Sequence, residues 1–248
     1  RDTRMISTTK YCEETIQMSE REQDLVLKWK SRINEGRPLS ETESLTLLSE
    51  FGISVATPIE ANNLEQTLIA AERTDYPLVL KTAEPGINHK SDVGGVVLNL
   101  TNIAEVEHAY LDLETRLGGC VTIEPMVAEG IEMAFGMIND PQFGPMVMVG
   151  SGGVYIEVLK DRCFSLAPFG LDEAKRMLDG LKIKPLLAGA RGRPACELII
   201  LARTLARFSN LVAALGDVIE EIDINPLIVD HNGCVAVDAL IIGKEHLA

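Results

Sequence analysis

The chain of 248 residues is long enough for one large domain or for two small lobes around a sizeable core. Hydrophobic residues make up 46% and charged residues 24%, which is ordinary for a globular protein. The net charge of −14, from 37 acidic against 23 basic residues, disfavours nucleic acid and anionic membranes as partners and requires any site for an anion to gather cations locally.

The cysteines and the apolar segments indicate a cytoplasmic protein. The five cysteines are odd in number and widely spaced, with no CxxC pair, so we expect reduced thiols and no zinc site. No run of 18 apolar residues predicts a membrane span, and the start lacks the apolar segment of a signal peptide. Position 1 is not Met, so we expect the sequence to be part of a longer chain.

The N-terminal part changes character near residue 39. Residues 1 to about 24 are rich in Ser, Thr, Glu and Gln and predict a linker or an arm lying on another domain. A short amphipathic helix is predicted at Asp24–Ile33, and the Gly-Pro-containing segment 34–38 ends it. Ser40-Glu-Thr-Glu43 fits a capping box, which predicts a helix that starts at Ser40 and ends at Gly52.

From residue 53 onward, the pattern alternates between strands and helices, which predicts an α/β or α+β fold. The predicted strands are Ile53–Pro58, Leu78–Lys81, Val96–Leu100, Val121–Met126, Glu132–Ile138, Pro145–Gly150, Val154–Leu159, Ile219–Ile224, Leu227–Val229 and Cys234–Ala239. The predicted helices are Leu64–Arg73, Asn102–Arg116, Leu171–Leu181 and Pro194–Leu215. His231-Asn-Gly233 predicts the turn between the last two strands.

The common nucleotide motifs are missing from the chain. There is no GxxxxGK[ST] phosphate loop and no GxGxxG fingerprint, which argues against a Walker-type or Rossmann-type site. Gly150-Ser-Gly-Gly153 is interpreted as a tight bend after a strand. A nucleotide, if bound, must therefore be held by another fold.

Three groups of segments together match a known family in order and spacing. They are Val79-Leu-Lys81 with Asn88-His-Lys-Ser-Asp-Val-Gly-Gly-Val96, Ile123-Glu-Pro-Met126 with Gly130-Ile-Glu-Met133, and Glu221-Ile-Asp-Ile-Asn-Pro-Leu227 with Val235-Ala-Val-Asp-Ala239. This combination resembles the ATP-grasp domain of ADP-forming (NDP-forming) acyl-CoA synthetases, relatives of the succinyl-CoA synthetase β-subunit. The similarity covers roughly residues 39 to 242, and Asp140-Pro-Gln-Phe-Gly-Pro145 and Arg191-Gly-Arg-Pro194 also look like that family.

The resemblance implies an α+β fold of two lobes, with mixed or antiparallel sheets flanked by helices, that grip ATP between them. We expect residues 1–38 to be a linker or arm with a short helix and residues 39–248 to be the ATP-grasp domain. Within it, a lid-like lobe is expected at about 59–126, with 39–58 and 127–248 forming the remainder.

The resemblance also implies residue roles, each by its match to a family position. His89 matches the histidine that becomes phosphorylated and relays the phosphoryl group to or from the nucleotide. Lys81, with Lys90 beside His89, is expected at the phosphates, Glu124 and the backbone near Val127 at the adenine, and Glu132 at the ribose. Asn225 and Asp238 match the Mg²⁺ ligands, with Asp223 in reserve because it shares the strand face of Asn225.

The residue types suit this chemistry, although each has an ordinary alternative. Lysine is a point charge for phosphate oxygens, and a mostly neutral histidine offers a nucleophilic nitrogen. Alternatively, His89 is a solvated loop residue, Glu124 a surface charge, Asn225 part of a strand bend and Asp238 a solvated carboxylate. Arg191 and Arg193 could contact phosphate, a partner domain or only solvent, so we leave them outside the site.

The expected function is that of the ATP-binding module of an ADP-forming acid–CoA ligase, which needs ATP and Mg²⁺. CoA is expected to bind to CoA-binding and ligase domains of the same chain or of a partner subunit, and an oligomer is expected. The carboxylic acid is not specified by these residues. The alternatives are a non-catalytic regulatory domain of a fused acyltransferase and a different ATP-grasp carboxylate ligase, which would need no histidine.

Overall fold

A computed structural model describes residues 20–87, 90–153, 161–190 and 194–244. The helices in these residues are α1 (Glu20–Ile33), α2 (Glu41–Glu50), α3 (Leu64–Glu72), α4 (Ile103–Arg116), α5 (Leu171–Asp179), α6 (Lys184–Leu187) and α7 (Leu198–Leu215). The strands are β1 (Ile59–Ala61), β2 (Leu78–Thr82), β3 (Val96–Leu100), β4 (Val121–Pro125), β5 (Ile131–Asp140), β6 (Gly144–Ser151), β7 (Arg162–Leu166), β8 (Ile219–Val229), β9 (Cys234–Ala236) and β10 (Ala239–Gly243). Residues 90–93 form a 3₁₀ turn.

The small lobe is built on a four-stranded antiparallel sheet in the order β1-β4-β2-β3. Helices α3 and α4 pack against each other and against this sheet. Tyr110 and Leu113 of α4 are fully buried against Leu78, Leu80 and Ile123 of the strands, and this cluster is separate from the other core. The small lobe therefore has a hydrophobic core of its own.

The large lobe is built on a second antiparallel sheet in the order β10-β8-β5-β6-β7, with β9 pairing with β8. Its central helix is α7, whose Phe208 ring lies 5.7 Å from that of Phe135 on β5. Helix α7 is long and apolar enough to pass a length-and-hydropathy test for a membrane span, but half of it is buried inside the protein. The core of the large lobe accounts for that apolar character.

The beginning of α2 follows the expected capping box. The Ser40 hydroxyl accepts the N–H of Glu43 at 3.2 Å, and the Glu43 carboxylate accepts the N–H of Ser40 at 2.9 Å. Arg32 of α1 donates two hydrogen bonds to the same carboxylate, each of 2.8 Å. Leu45, Leu47 and Leu48 bury the other side of α2 in the large core. Helix α2 is thus anchored to the large lobe.

The predicted strand Ile53–Pro58 is wrong. The segment makes one isolated parallel bridge, between Val55 and Ala236, supported by two backbone hydrogen bonds of 2.8 and 2.9 Å. Because Pro58 has no N–H to donate, a ladder cannot continue through it, and the first strand of the small sheet forms only at Ile59.

Several other boundaries differ from the sequence predictions. Helix α7 begins at Leu198 rather than Pro194, because the N–H groups of Cys196 and Glu197 bond to Leu187 and Asp230 outside the helix. The two strands predicted in 219–229 are one continuous strand, and the predicted strand Cys234–Ala239 divides into β9 and β10. Strand β7 and helix α6 were not predicted, and the predicted strand Val154–Leu159 lies outside the described residues.

Candidate functional site

Charged side chains from both lobes meet between the two sheets. We call this group the interlobe cluster: Lys81, Lys90 and Glu124 from the small lobe, and Glu41 and Asp238 from the large lobe. Lys81 lies one residue before the end of the buried strand β2, and Glu124 lies on the neighbouring strand β4. Three of the cluster's five members were predicted from the sequence as ligand-binding residues of the small lobe and one, Asp238, as a metal ligand.

Lys81 is the centre of the cluster. Its ammonium lies 2.6 Å from Glu124 Oε1 and 2.9 Å from Glu41 Oε1, and it donates a 2.6 Å hydrogen bond to the carbonyl of Val237. The side chain is almost completely buried. Two of the three acceptors belong to the large lobe, so Lys81 joins the lobes rather than facing open solvent.

Glu41 also pairs with Lys90 and so bridges both lysines. Its Oε2 contacts the Lys90 ammonium, and its side chain is 8% exposed. Burial alone would raise the pKa of Glu41, but the positive charges of Lys81 and Lys90 outweigh burial and hold that pKa below its ordinary value. Glu41 is therefore a carboxylate held charged by the two lysines.

The cluster holds more carboxylates than cations. Burial raises the pKa of Glu124, although Lys81 opposes the shift. Burial and the negative charge of Glu41 raise the pKa of Asp238, against the opposing charges of Lys90 and Lys81. Burial would lower the pKa of Lys81, but Glu41, Glu124 and Asp238 raise it. A further cation would relieve the repulsion among these carboxylates.

Asn225 lies on β8, and Asp238 lies in the short gap between β9 and β10, two strands that both pair with β8. The register that pairs Leu227 with Ala236 continues to the pair of Ile224 with Ala239, and Asn225 and Asp238 occupy the matching positions between these pairs. Opposite residues in a regular antiparallel pair point to the same face, so continuation of this register would place the amide and the carboxylate on one face. The two residues predicted to bind a metal therefore lie on neighbouring segments of the large sheet.

The oxygen atoms of this pair fit a Mg²⁺ ion by their chemistry. Amide and carboxylate oxygens are hard donors, and Mg²⁺ is usually held by one or two such side chains, with water and substrate phosphates completing the shell. Among residues 20–87, 90–153, 161–190 and 194–244, no three His, Cys, Asp or Glu side chains form a metal-binding group. A metal here would therefore rely on the substrate for further ligands.

Glu132 lies beside the same end of the large sheet, and it is exposed. Gly153 connects it to Asn225, because the Gly153 N–H donates to Asn225 Oδ1 at 3.1 Å. Gly153 has a φ of +59°, and a Cβ on it would lie 1.7 Å from Glu132 Oε2. A glycine is thus required where the glycine-rich turn passes Glu132 and Asn225. The interpretation of this turn as only a tight bend missed that contact.

Val127 lies in the segment between β4 and β5 that joins the two lobes, and it is half-buried. The preceding residue, Met126, is fixed by a 2.8 Å hydrogen bond from its N–H to the Pro77 carbonyl. The segment after Glu124 therefore lies between the two lobes, and adenine binding by its backbone stays a prediction. His89, Arg191 and Arg193 lie outside the described residues.

Glu41 is the member of the cluster that the sequence analysis missed. Its local signal, the first helical residue after a cap, indicates only a favourable charge at a helix start. Its partners lie 40 and 49 residues away, and no local pattern predicts such a contact.

Three buried oxygen atoms of residues in or next to the cluster have no hydrogen-bond partner in the described part of the chain: Thr42 Oγ1, Thr122 Oγ1 and Glu124 Oε2. Such unsatisfied groups indicate a place for water or a ligand.

Comparisons with known proteins agree on one family. The model of the ATP-grasp domain family matches residues 31–242. The beta subunit of acetate–CoA ligase (ADP-forming) I from Pyrococcus furiosus is 39% identical over 217 residues, which are 84% of this chain and 93% of that protein. The 4-hydroxybutyrate–CoA ligase (ADP-forming) from Nitrosopumilus maritimus is 38% identical over 209 residues, but the match spans 30% of that longer protein.

A solved structure matches over a similar extent. It is the dinucleotide-forming acetyl-coenzyme A synthetase 1 of Ca. Korarchaeum cryptofilum in complex with coenzyme A and Mg-AMPPCP, with its phosphohistidine segment pointing towards the nucleotide-binding site. The TM-score is 0.77 at 34% identity, and the match covers 90% of this chain and 99% of that chain.

Proposed function

The chain belongs to the ATP-grasp domain family, and from this premise we propose that it is the nucleotide-binding module of an ADP-forming acid–CoA ligase. The proposed reaction of the whole enzyme converts a carboxylate, CoA and ATP into acyl-CoA, ADP and phosphate. Relatives named for this class include a beta subunit of nearly the same length and a chain about three times as long.

One observation carries the proposal: two nearly buried lysines of the small lobe meet the large lobe at Glu41 and at Val237, the residue before Asp238. Lys81 and Lys90 would bind phosphate oxygens, since ammonium groups neutralise the charge that moves during phosphoryl transfer. Asn225 and Asp238 would hold Mg²⁺, which when bound offsets negative charge on the phosphates. The chain has a net charge of −14, which repels a nucleotide, so local cations of this kind are required to bind its phosphates.

The remaining roles concern the nucleoside. We assign the backbone near Val127 to adenine, because the segment joins the lobes and is extended from β4. Glu124 anchors the start of this segment through its ion pair with Lys81. Glu132 is assigned to the ribose, since it is exposed beside Gly153 at the end of the sheet that carries Asn225.

We assign the phosphoryl carrier to His89. A neutral ring nitrogen attacks the γ-phosphorus, the bond from that phosphorus to the bridging oxygen breaks, and ADP leaves with the electron pair of the bond. The carried phosphoryl group then passes to the acid through the partner domains. Covalent capture divides one difficult transfer into two easier ones. The position of His89, directly before Lys90, supports this assignment.

The module requires partners for the rest of the reaction. We propose that residues 1–38 are an arm and that residues 39–248 are the ATP-grasp unit, with 59–126 as the lid-like lobe. The separate cores support the lid-like lobe, while Trp29 and Ile33 pack the end of the arm into the core of the large lobe. CoA and the carboxylate would bind to domains of the same chain or of a partner subunit, in a cytoplasmic oligomer. The four described cysteines are free thiols, as that compartment favours.

The test is an assay of the chain together with its CoA-binding partner domains. A panel of short-chain and aromatic acids is supplied with CoA, Mg²⁺ and ATP, and the nucleotide products are separated. The proposal predicts ADP and phosphate in a one-to-one ratio with acyl-CoA. Formation of AMP and pyrophosphate, or transfer to an amine without CoA, would contradict it.

A further inference from the structure

We propose that Glu41 is a positioning residue that sets the affinity for nucleotide by competing with phosphate groups for Lys81 and Lys90. The inference rests on the proposed function of the two lysines as phosphate ligands. It adds a residue that neither the family match nor the sequence analysis assigns.

The geometry of Glu41 is that of an anion placed between two cations. One carboxylate oxygen lies 2.9 Å from the Lys81 ammonium, and the other contacts the Lys90 ammonium. All three side chains are at most 10% exposed, so solvent screens these pairs only weakly. A phosphate would bind the same two ammonium groups in the same way, with two oxygens of one group each contacting one ammonium.

Glu41 is presented rigidly by the large lobe, while both lysines belong to the small lobe. The residue is the first in α2, and the reciprocal hydrogen bonds of Ser40 and Glu43 fix the start of that helix. Lys81 retains Glu124 as a partner within the small lobe, at 2.6 Å. Within the described parts of the chain, the ion pair of Lys90 is with Glu41. Lys90 is therefore the cation that Glu41 controls most strongly.

A phosphate and Glu41 cannot hold the same two ammonium groups at once without repelling each other. Nucleotide binding must then replace the Glu41 contacts, and the affinity is reduced by the stability of those contacts. The competition concerns the β- and γ-phosphates that reach the lysines. It does not concern adenine, ribose or a single α-phosphate.

The experiment compares nucleotide binding to the full enzyme, the chain with its partner domains, by titration calorimetry with Mg-ADP, Mg-ATP analogue and AMP. Glu41→Gln keeps the shape of the side chain and removes its charge. We expect its Kd for ADP and for the ATP analogue to fall by about tenfold, which is the effect of losing one competing charged hydrogen bond, with the Kd for AMP unchanged. In turnover, the KM for ATP should fall without a rise in kcat.

Two further variants separate this role from a general effect. Glu50→Gln makes the same change of net charge on the same helix. Glu50 lies outside the interlobe cluster and pairs with Lys28 at a distance of 2.7 Å, so the nucleotide affinities of this variant should match those of the wild type. Glu41→Asp keeps the charge on a shorter arm and should give an ADP affinity between those of the wild type and Glu41→Gln. If Glu41→Gln does not fold, the Kd for ADP of Glu41→Asp is compared with that of the wild type, and a lower value supports the competition.

The outcomes that overturn the inference are distinct from failure of the proposed function. Equal or weaker ADP binding by the Glu41 variants, with normal binding by the wild type, overturns the competition alone. An equal fall in the Kd for AMP also overturns the competition, since it would show a general opening of the lobes. Absence of ATP binding in the wild type and in every variant overturns the proposed function together with the inference.

Discussion

Lys81 and Glu124 form a buried ion pair of 2.6 Å on neighbouring strands of the small sheet. The pair fixes the lysine at the edge of the cleft before any ligand arrives. It also makes the lysine part of the stability of the protein, because each charge is buried and depends on the other.

Replacing Lys81 should therefore affect stability and binding separately. Lys81→Met leaves Glu124 without its cation and Glu41 with Lys90 alone, and should lower the free energy of unfolding by about 3–5 kcal/mol, measured by urea denaturation. Adding Glu124→Gln should recover part of that loss, since it removes one unpaired buried charge. Neither variant should regain ATP affinity, and wild-type affinity in the double variant would refute the phosphate role of Lys81.

Replacing the metal pair should change the dependence on Mg²⁺. Asn225→Ala and Asp238→Asn each remove or weaken one hard oxygen donor, so the Mg²⁺ concentration for half-maximal ADP formation should rise by about tenfold or more. Asp217→Asn, which alters an exposed carboxylate paired with Lys30, serves as the control. An unchanged Mg²⁺ requirement in both site variants would place the metal elsewhere.

The capping box of α2 predicts a pH-dependent contribution to stability. The hydrogen bonds from Arg32, reinforced by the Ser40 N–H and Arg37, lower the pKa of Glu43 from 4.5 to about 2. The carboxylate therefore stabilises the fold above pH 4.5, and this contribution is lost as the pH falls through about 2. Glu43→Gln should lower the free energy of unfolding by about 1 kcal/mol near neutral pH and by nothing at the acid end.

Denaturant titrations of the wild type and Glu43→Gln at several pH values check this expectation. Ser40→Ala is the matched control, because it removes the other half of the box without removing a titrating group. Its cost of about 1 kcal/mol should change little with pH. A Glu43→Gln difference that stays constant down to pH 2 would show that the carboxylate is not the stabilising species.

Local chemistry explains which parts of the fold could be predicted. The beginning of α2, the helix from Ile103 and the hairpin turn before Cys234 each depend on caps, turn residues or periodicity within a few positions. The failure at Ile53–Pro58 has the opposite cause. An apolar, extended segment predicts a strand, but whether it finds a partner strand depends on the arrangement of the two lobes.

The candidate site shows the same limit. Lys81, Glu124, Asn225 and Asp238 were predicted because they occupy positions of a recognisable motif. Glu41 was missed because its partners are distant in sequence.

Asp161, outside the site, was missed for the same reason. It is buried and accepts the N–H groups of Lys182 and Ile183 at 2.7 and 2.8 Å, a contact that fixes the turn before α6. Burial of a charged residue by long-range contacts leaves little trace in a single sequence.

The fate of the γ-phosphate tests the role of His89 directly. The full enzyme is mixed with γ-labelled Mg-ATP, quenched in base within one turnover, and mapped for label, with His89→Asn and the exposed-site variant His108→Asn alongside. We expect an acid-labile, base-stable label on His89 in the wild type and in His108→Asn. His89→Asn should bind ATP but form no acyl-CoA. Full turnover by His89→Asn, or ADP formation with no label at residue 89, would show that His89 is not the phosphoryl carrier.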